Sequence, residues 1–188
     1  MKFIGLEKRE QGKYITRYNL TYLTEDEKEK QYEMISRNGD ITGFSQLHEK
    51  GADAVVMMIH NEDHSKILLN REFRLAVGEW VYNFPAGLID EGETPEVAAK
   101  RELQEETGLV LEEIEDVLRE SYGAVGFSNE KNICIVGKAS GTFQKSTSSV
   151  EEIEAGWYTK EEVRALLQTE PFAARTQAYC YLWSAEHR

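Results

Sequence analysis

The segment Ala54-Val-Val-Met-Met-Ile59 is six apolar residues with no polar break. A strand with one wet face alternates apolar and polar residues, so an unbroken run of this length marks a buried strand. The next thirty residues are legible in the same way. Asn61-Glu-Asp-His64 reads as a turn, Lys66–Arg74 as a second strand, and Trp80–Phe84 as a third that ends at Pro85-Ala-Gly87. A helix is expected over Pro95–Thr107. Thr94 is a good N-cap, Pro95 suits the first helical position, Glu96 adds favourable charge to the first turn, and Gly108 supplies the stop. Strands are expected at 117–122, at 132–138 and ending at Trp157-Tyr158. A helix over Lys160–Leu167 is opened by a capping box from Thr159 and Glu162, and a C-terminal helix is expected over Gln177–Ala185. This order of elements predicts an α+β domain, an α/β/α sandwich with helices flanking a mixed sheet.

Residues 1–48 differ in character. Lys13–Tyr22 carries the aromatic and β-branched residues of a strand, Thr24–Lys30 is charged and turn-like, Gln31–Ser36 alternates again, and Asn38-Gly39 is a strong turn signal. A small antiparallel sheet of this length has a weak core of its own, so it is expected to pack on the main domain or on a second subunit. The expected division is a β-rich arm at 1–48 and a main domain at 49–188.

Composition narrows the partners. The 188 residues hold 34 acidic and 22 basic side chains, a net charge of -12. Such a surface repels phosphate backbones, so no nucleic-acid partner is expected. Much of this acid serves solubility. If the substrate is anionic, divalent cations must invert the local charge. Cys134 and Cys180 each sit in an apolar run without metal-type spacing, which predicts buried thiols in a reducing compartment. The start, MKFIGLEKRE, lacks a signal-peptide core, and no window approaches the roughly 18 apolar residues of a membrane span. The chain is expected to be cytoplasmic, with no membrane partner.

The acid between Gly87 and Gly108 is ordered. Glu102, Glu105 and Glu106 fall at i, i+3 and i+4 of the expected helix, on one face about 100° wide. Like charges so placed destabilise a helix unless a cation sits among them, and carboxylate oxygens suit Mg2+ or Mn2+ better than zinc. Ala98, one turn earlier, would leave room for bound phosphate, and Arg101 can orient Glu105 at i+4. The glycines of Gly87-Leu-Ile-Asp-Glu-Gly92 allow a tight backbone path near a ligand, and the loop amides and helix N-terminus add anion affinity. The plain alternative is a solvated acidic helix. Against it stands the full spacing: Gly87, five residues, Glu93, seven residues, then Arg101-Glu102-Leu103-Gln104-Glu105-Glu106-Thr107-Gly108-Leu109.

That spacing matches every fixed position of the Nudix box, and the chain resembles the Nudix hydrolases over residues 50–170. The resemblance implies a sheet–helix sandwich with the box as loop–helix–loop, and Mg2+-dependent hydrolysis of a nucleoside diphosphate linked to another moiety. It implies metal ligation by Glu102, Glu105 and Glu106, often joined by the carbonyl before the box glycine, here Ala86, and it implies that Glu93 braces Arg101. The flanks, Arg71-Glu-Phe-Arg74 and Phe84-Pro-Ala-Gly87, are similar to ADP-ribose pyrophosphatases and related nucleotide-sugar hydrolases, as is the β-rich arm, which in those enzymes is exchanged across a homodimer. By that similarity Arg37, Arg71, Arg74 and Gly87 are substrate-binding candidates. Two positions depart from the subfamily: Val125 stands where a proline is common, and Asn83 where a glutamate is usual.

The resemblance also places a general base or extra metal ligand on a later loop, here Ser146–Glu154. Glu151 is the first candidate, as base and as ligand, Glu152 the second, and Glu130 on another loop a weaker one; Glu105 is a further catalytic candidate. The alternatives are a hydrolase of another diphosphate, a dinucleotide coenzyme or a nucleoside triphosphate, and a non-catalytic nucleotide-sugar sensor, which usually carries a degraded box or an attached DNA-binding domain.

Overall fold

A computed structural model describes residues 1–147 and 151–185. Its strands are β1 (Lys2–Gln11), β2 (Thr16–Leu23), β3 (Glu29–Ser36), β4 (Ala54–His60), β5 (Lys66–Arg74), β6 (Glu79–Asn83), β7 (Ala86–Leu88), β8 (Val110–Val117), β9 (Ser121–Tyr122), β10 (Lys131–Ser140) and β11 (Ile153–Thr159). The helices are α1 (Pro95–Thr107), α2 (Lys160–Thr169) and α3 (Ala174–Ser184). The chain divides into two compact units. One is Met1–Asp53 with Glu120–Asn132; the other is Ala54–Arg119 with the chain from Ile133 onward.

In the first unit β1, β2 and β3 form an antiparallel sheet in sequence order. Tyr18, Leu20, Met34 and Ile41 make its core. The fully buried Tyr18 donates its hydroxyl proton to the Asn38 carbonyl (2.9 Å) and accepts from the Ile41 amide (3.2 Å), so its one polar atom is paired both ways. The strand expected at Lys13 begins at Thr16, and β1, which carries no clear pattern, forms because β2 supplies its hydrogen bonds.

The second unit is a mixed sheet, β11-β5-β4-β10-β8, extended by β6 on β5 and β7 on β4. The apolar run is β4, and both of its faces are buried for separate reasons. Val55, Met57 and Ile59 join Ala98, Ala99 and Leu103 of α1 in one core cluster; Val56 and Met58 join Val163 of α2 and Cys180 of α3 in the other. Helices therefore cover both faces, which is what an unalternating strand requires. Leu103 is fully buried, a contribution of about 2 kcal/mol. Both cysteines are buried and free within the second cluster.

Three further expectations change. The strand expected at 117–122 lies mostly earlier, as β8. It is an edge strand with an acid-rich, largely exposed pattern, and its pairing with β10 decides it. Helix α3 starts at Ala174 rather than Gln177, and α2 runs to Thr169. Helix α1 lies where expected, with the Val97 amide donating to Thr94 Oγ1 (3.4 Å) and Gly108 at φ 78° as its left-handed stop.

Candidate active site

Helix α1 is held against β4 and β7 through Ala98, Ala99 and Leu103, and the same seating sets Glu102 against Gly87 of β7 and Glu106 against Asn70 of β5. Glu102, Glu105 and Glu106, with Ser146, Thr147 and Glu151, line one cavity of about 320 Å3. The loop before Glu151 is tied to the end of the helix: the Thr147 amide donates to the Glu105 carbonyl (3.0 Å) and the Gln144 amide to that of Thr107 (2.9 Å). These bonds satisfy carbonyls that the last turn of a helix leaves open.

Gly87 has a specific cause. A Cβ there would stand 1.9 Å from the Glu102 carboxyl carbon. Only glycine lets β7 pass this close to that carboxylate. Arg101 then fixes it. Its guanidinium forks onto Glu93 (Nε 2.9 Å, Nη2 2.8 Å), reaches Glu102 through Nη1 (2.7 Å) and donates to the Leu88 carbonyl (3.0 Å). Glu105, the partner expected at i+4, is only a 3.6 Å contact. The Asp90 amide also donates to Glu93. The Arg101 hydrogen bonds hold the Glu93 carboxyl down at about 2 and raise Arg101 above its ordinary value.

Glu106 is the opposite case. It is 7 % exposed. Burial pushes its carboxyl well above the usual carboxylate range, helped by the charges of Glu72, Glu102 and Glu151 and opposed by the Asn70 amide, which donates at 2.8 Å. Burial also raises Glu102, against the pull of Arg101. The other side-chain atom of Asn70, Oδ1, is buried with no hydrogen-bond partner among the described residues. Glu72 is itself buried, accepting from Asn83 (2.9 Å) and more weakly from Arg74 (3.4 Å). Asn83 Oδ1 in turn accepts from the Thr176 hydroxyl (2.8 Å) and the Phe84 amide (2.9 Å).

A model of the NUDIX domain matches residues 50–180. The chain belongs to the Nudix family. Over 101 residues it is 35 % identical to mouse ADP-sugar pyrophosphatase, covering 52 % of this chain and 43 % of that one. Over 93 residues it is 32 % identical to the ADP-ribose pyrophosphatase of Bacillus subtilis (strain 168), covering 50 % and 48 %. This Nudix chain thus spans about half the length of the curated relatives it matches. A solved structure described as an ADP compounds hydrolase superposes with a TM-score of 0.71 over 97 % of this chain and 90 % of the other, at 17 % identity, which shows a shared fold.

The remaining candidates are dispersed. Ala86 pairs with Val56 in the ladder that joins β7 to β4. Arg71 donates to Glu154 (3.0 Å) and lies over the Trp80 ring at 4.6 Å. Arg74, half-exposed, lies 3.4 Å from Glu72 of the same strand. Glu152 is absent from the cavity lining; its carbonyl accepts from the Phe73 amide (3.0 Å). In the first unit, Arg37 pairs with Glu130 (2.6 Å). Ala98 leaves no room for phosphate, because it is fully buried in the core beneath α1.

Asn70 and Glu72 are not among the residues that the sequence singles out. Their signal is faint but present. They are consecutive same-face positions of β5, following Leu68 on the side that packs α1, so two polar residues stand in register where apolar ones are expected.

Proposed function

We propose that this chain is a Mg2+-dependent pyrophosphatase, with Mn2+ as a substitute ion, that cleaves the diphosphate bond of ADP-ribose or a related nucleoside-diphosphate sugar to a nucleoside monophosphate and a sugar phosphate. One observation carries the reading: Glu106 is buried beside three other carboxylates at a cavity whose described lining contains no Lys or Arg. Oxygen-only donors and the orphaned Asn70 Oδ1 fit a hard cation. Bound there, Mg2+ or Mn2+ would neutralise diphosphate charge and make a water more acidic.

In this reading Glu102 and Glu106 are the principal ligands, with Glu105, Glu151 and the Ala86 carbonyl as further ones. Gly87 brings the backbone to the substrate, and Glu93 and Arg101 hold Glu102 in place. Water attacks one phosphorus, the bridging P–O bond breaks, and the released phosphate carries the bridging oxygen. Glu151 removes the water's proton; Glu105 and Glu152 are the secondary candidates, and Glu151's place in the cavity lining supports this order. Arg74, Arg71 and Arg37 bind the ribose and phosphates, Arg74 first because its side chain is the least engaged.

Residues 49–188 are the hydrolase domain and 1–48 the arm of a homodimer. A groove of about 380 Å3 in the first unit, lined by Tyr22, Tyr32, Val125 and Phe127 among others, with Val125 77 % exposed, supports a second copy as its cover. The place of action is the cytoplasm, which suits two free thiols. A panel of ADP-ribose, other nucleotide sugars, dinucleotides and triphosphates, each assayed with Mg2+ and with EDTA, tests the activity. Release of AMP and ribose 5-phosphate only with Mg2+ is expected; turnover of triphosphates alone overturns the substrate, and turnover in EDTA the metal.

A further inference from the structure

A second set of ligating side chains lies outside the carboxylate cavity. His60 closes β4, His64 sits in the β4–β5 turn, and Glu115 is on β8. One ring nitrogen of each histidine and one carboxylate oxygen lie within 4.8 Å of one another. Glu115 Oε1 is 2.9 Å from His64 Nε2, and the two imidazole rings are 5.0 Å apart. His60 is 3 % exposed, yet its Nδ1 has no hydrogen-bond partner among the described residues. Its Nε2 lies 3.4 Å from the Tyr179 hydroxyl. The turn brings His64 back toward His60 by placing it at φ 58°, a left-handed conformation that few residues other than glycine adopt.

We propose that His60, His64 and Glu115 form a zinc site, separate from the carboxylate cavity, that fastens the β4–β5 turn to β8. Two imidazoles and one carboxylate are a donor set for zinc, with a fourth position for water, whereas Mg2+ prefers oxygen alone. Tyr179 at Nε2 is the outer partner that fixes the tautomer of a ligating histidine and leaves Nδ1 as the acceptor. The Tyr179 and Trp183 rings, 6.2 and 5.9 Å from that of His60, form an aromatic wall. Tetrahedral zinc spaces its N and O donors by about 3.4 Å, so rotation of the two exposed side chains, His64 and Glu115, closes the set. Lys138 contacts Glu115 (3.1 Å) and also Glu113 (2.9 Å), so it retains a partner when Glu115 turns to the metal.

The test uses the whole chain, stripped with EDTA and then titrated with Zn2+ in excess Mg2+ to mask the carboxylate cavity. One zinc per chain is expected, with a rise in melting temperature. The Co2+-loaded protein is expected to show the visible bands of four-coordinate cobalt. His64→Asn, chosen because asparagine tolerates a positive φ, and Glu115→Gln should each lose the zinc, the cobalt bands and the thermal shift, while their melting in EDTA and their Mg2+-dependent turnover stay at the parent level. Glu106→Gln should keep all three zinc signatures. No zinc retained by the parent chain, zinc retained by both His64→Asn and Glu115→Gln, or zinc lost in Glu106→Gln overturns the proposal.

Discussion

Within the Gly87–Leu109 segment, two glutamates are treated in opposite ways. Glu93 receives the Arg101 fork and the Asp90 amide, and its carboxyl is held down at about 2. Glu106, thirteen residues on, is buried with Glu72, Glu102 and Glu151 as neighbours and the Asn70 amide in support, and its carboxyl is pushed far up. The Arg101 bracket is electrostatically complete as it stands. On the proposed reading, a cation would complete the Glu106 cluster. In that reading the difference separates residues that position from residues that bind, although a residue count sees only acid in both places.

The largest test of that contrast is Glu106→Gln. Turnover of ADP-ribose in Mg2+ should fall by about 100- to 1000-fold, read as AMP release, with far-UV circular dichroism unchanged; parent-level activity would erase the distinction. Gly87→Ala attacks the join between the two regions. Its methyl group must displace the Glu102 carboxylate, so activity should fall and stability should drop by about 1–3 kcal/mol, checked by denaturant unfolding beside the kinetics.

The next two tests work through pH and have opposite signs. A carboxyl held down in the fold stabilises it above its ordinary pKa, and that stability is lost as pH falls through the folded value. Glu93→Gln should therefore melt below the parent at neutral pH, with the gap closing between about 4.5 and about 2. A carboxyl pushed up does the reverse: stability is full below its ordinary value and is lost as pH rises through the folded one. In EDTA, Glu106→Gln should melt above the parent at neutral pH, the gap vanishing below about 4.5, and Mg2+ should reverse the order by stabilising only the parent. Melting curves from pH 3 to 8 with and without Mg2+ read both.

The smallest effect concerns substrate. Arg74→Ala should raise KM several-fold with little change in kcat, and Arg71→Ala less, because Arg71 is already committed to Glu154 and Trp80. Equal effects would mean that the side chains' present engagement does not govern their role.

Much of the fold is legible in the sequence. Helix α1 is readable to the residue because its signals are local: a cap at Thr94, a proline at the first position, a glycine stop. The buried strand is readable from an apolar run that only two covering layers can explain. Strands β1 and β8 are not, because an exposed strand is decided by the hydrogen bonds its neighbour offers and carries little pattern of its own.

By itself the sequence determined the box, its helix and the family, and it raised the expectation of a cation among Glu102, Glu105 and Glu106. All of these lie within one stretch of 23 residues, where spacing along the chain is spacing in the helix. Only the tertiary structure decided that Asn70 and Glu72 join Glu106, that Arg101 spends itself on Glu93 and Glu102 rather than on Glu105, that Ala98 belongs to the core, and that His60 and His64 meet Glu115. Except for Ala98 and the Arg101 choice, these meetings join residues tens of positions apart. The strand order of the sheet and the seating of α1 on it bring them together, and both are set by tertiary packing.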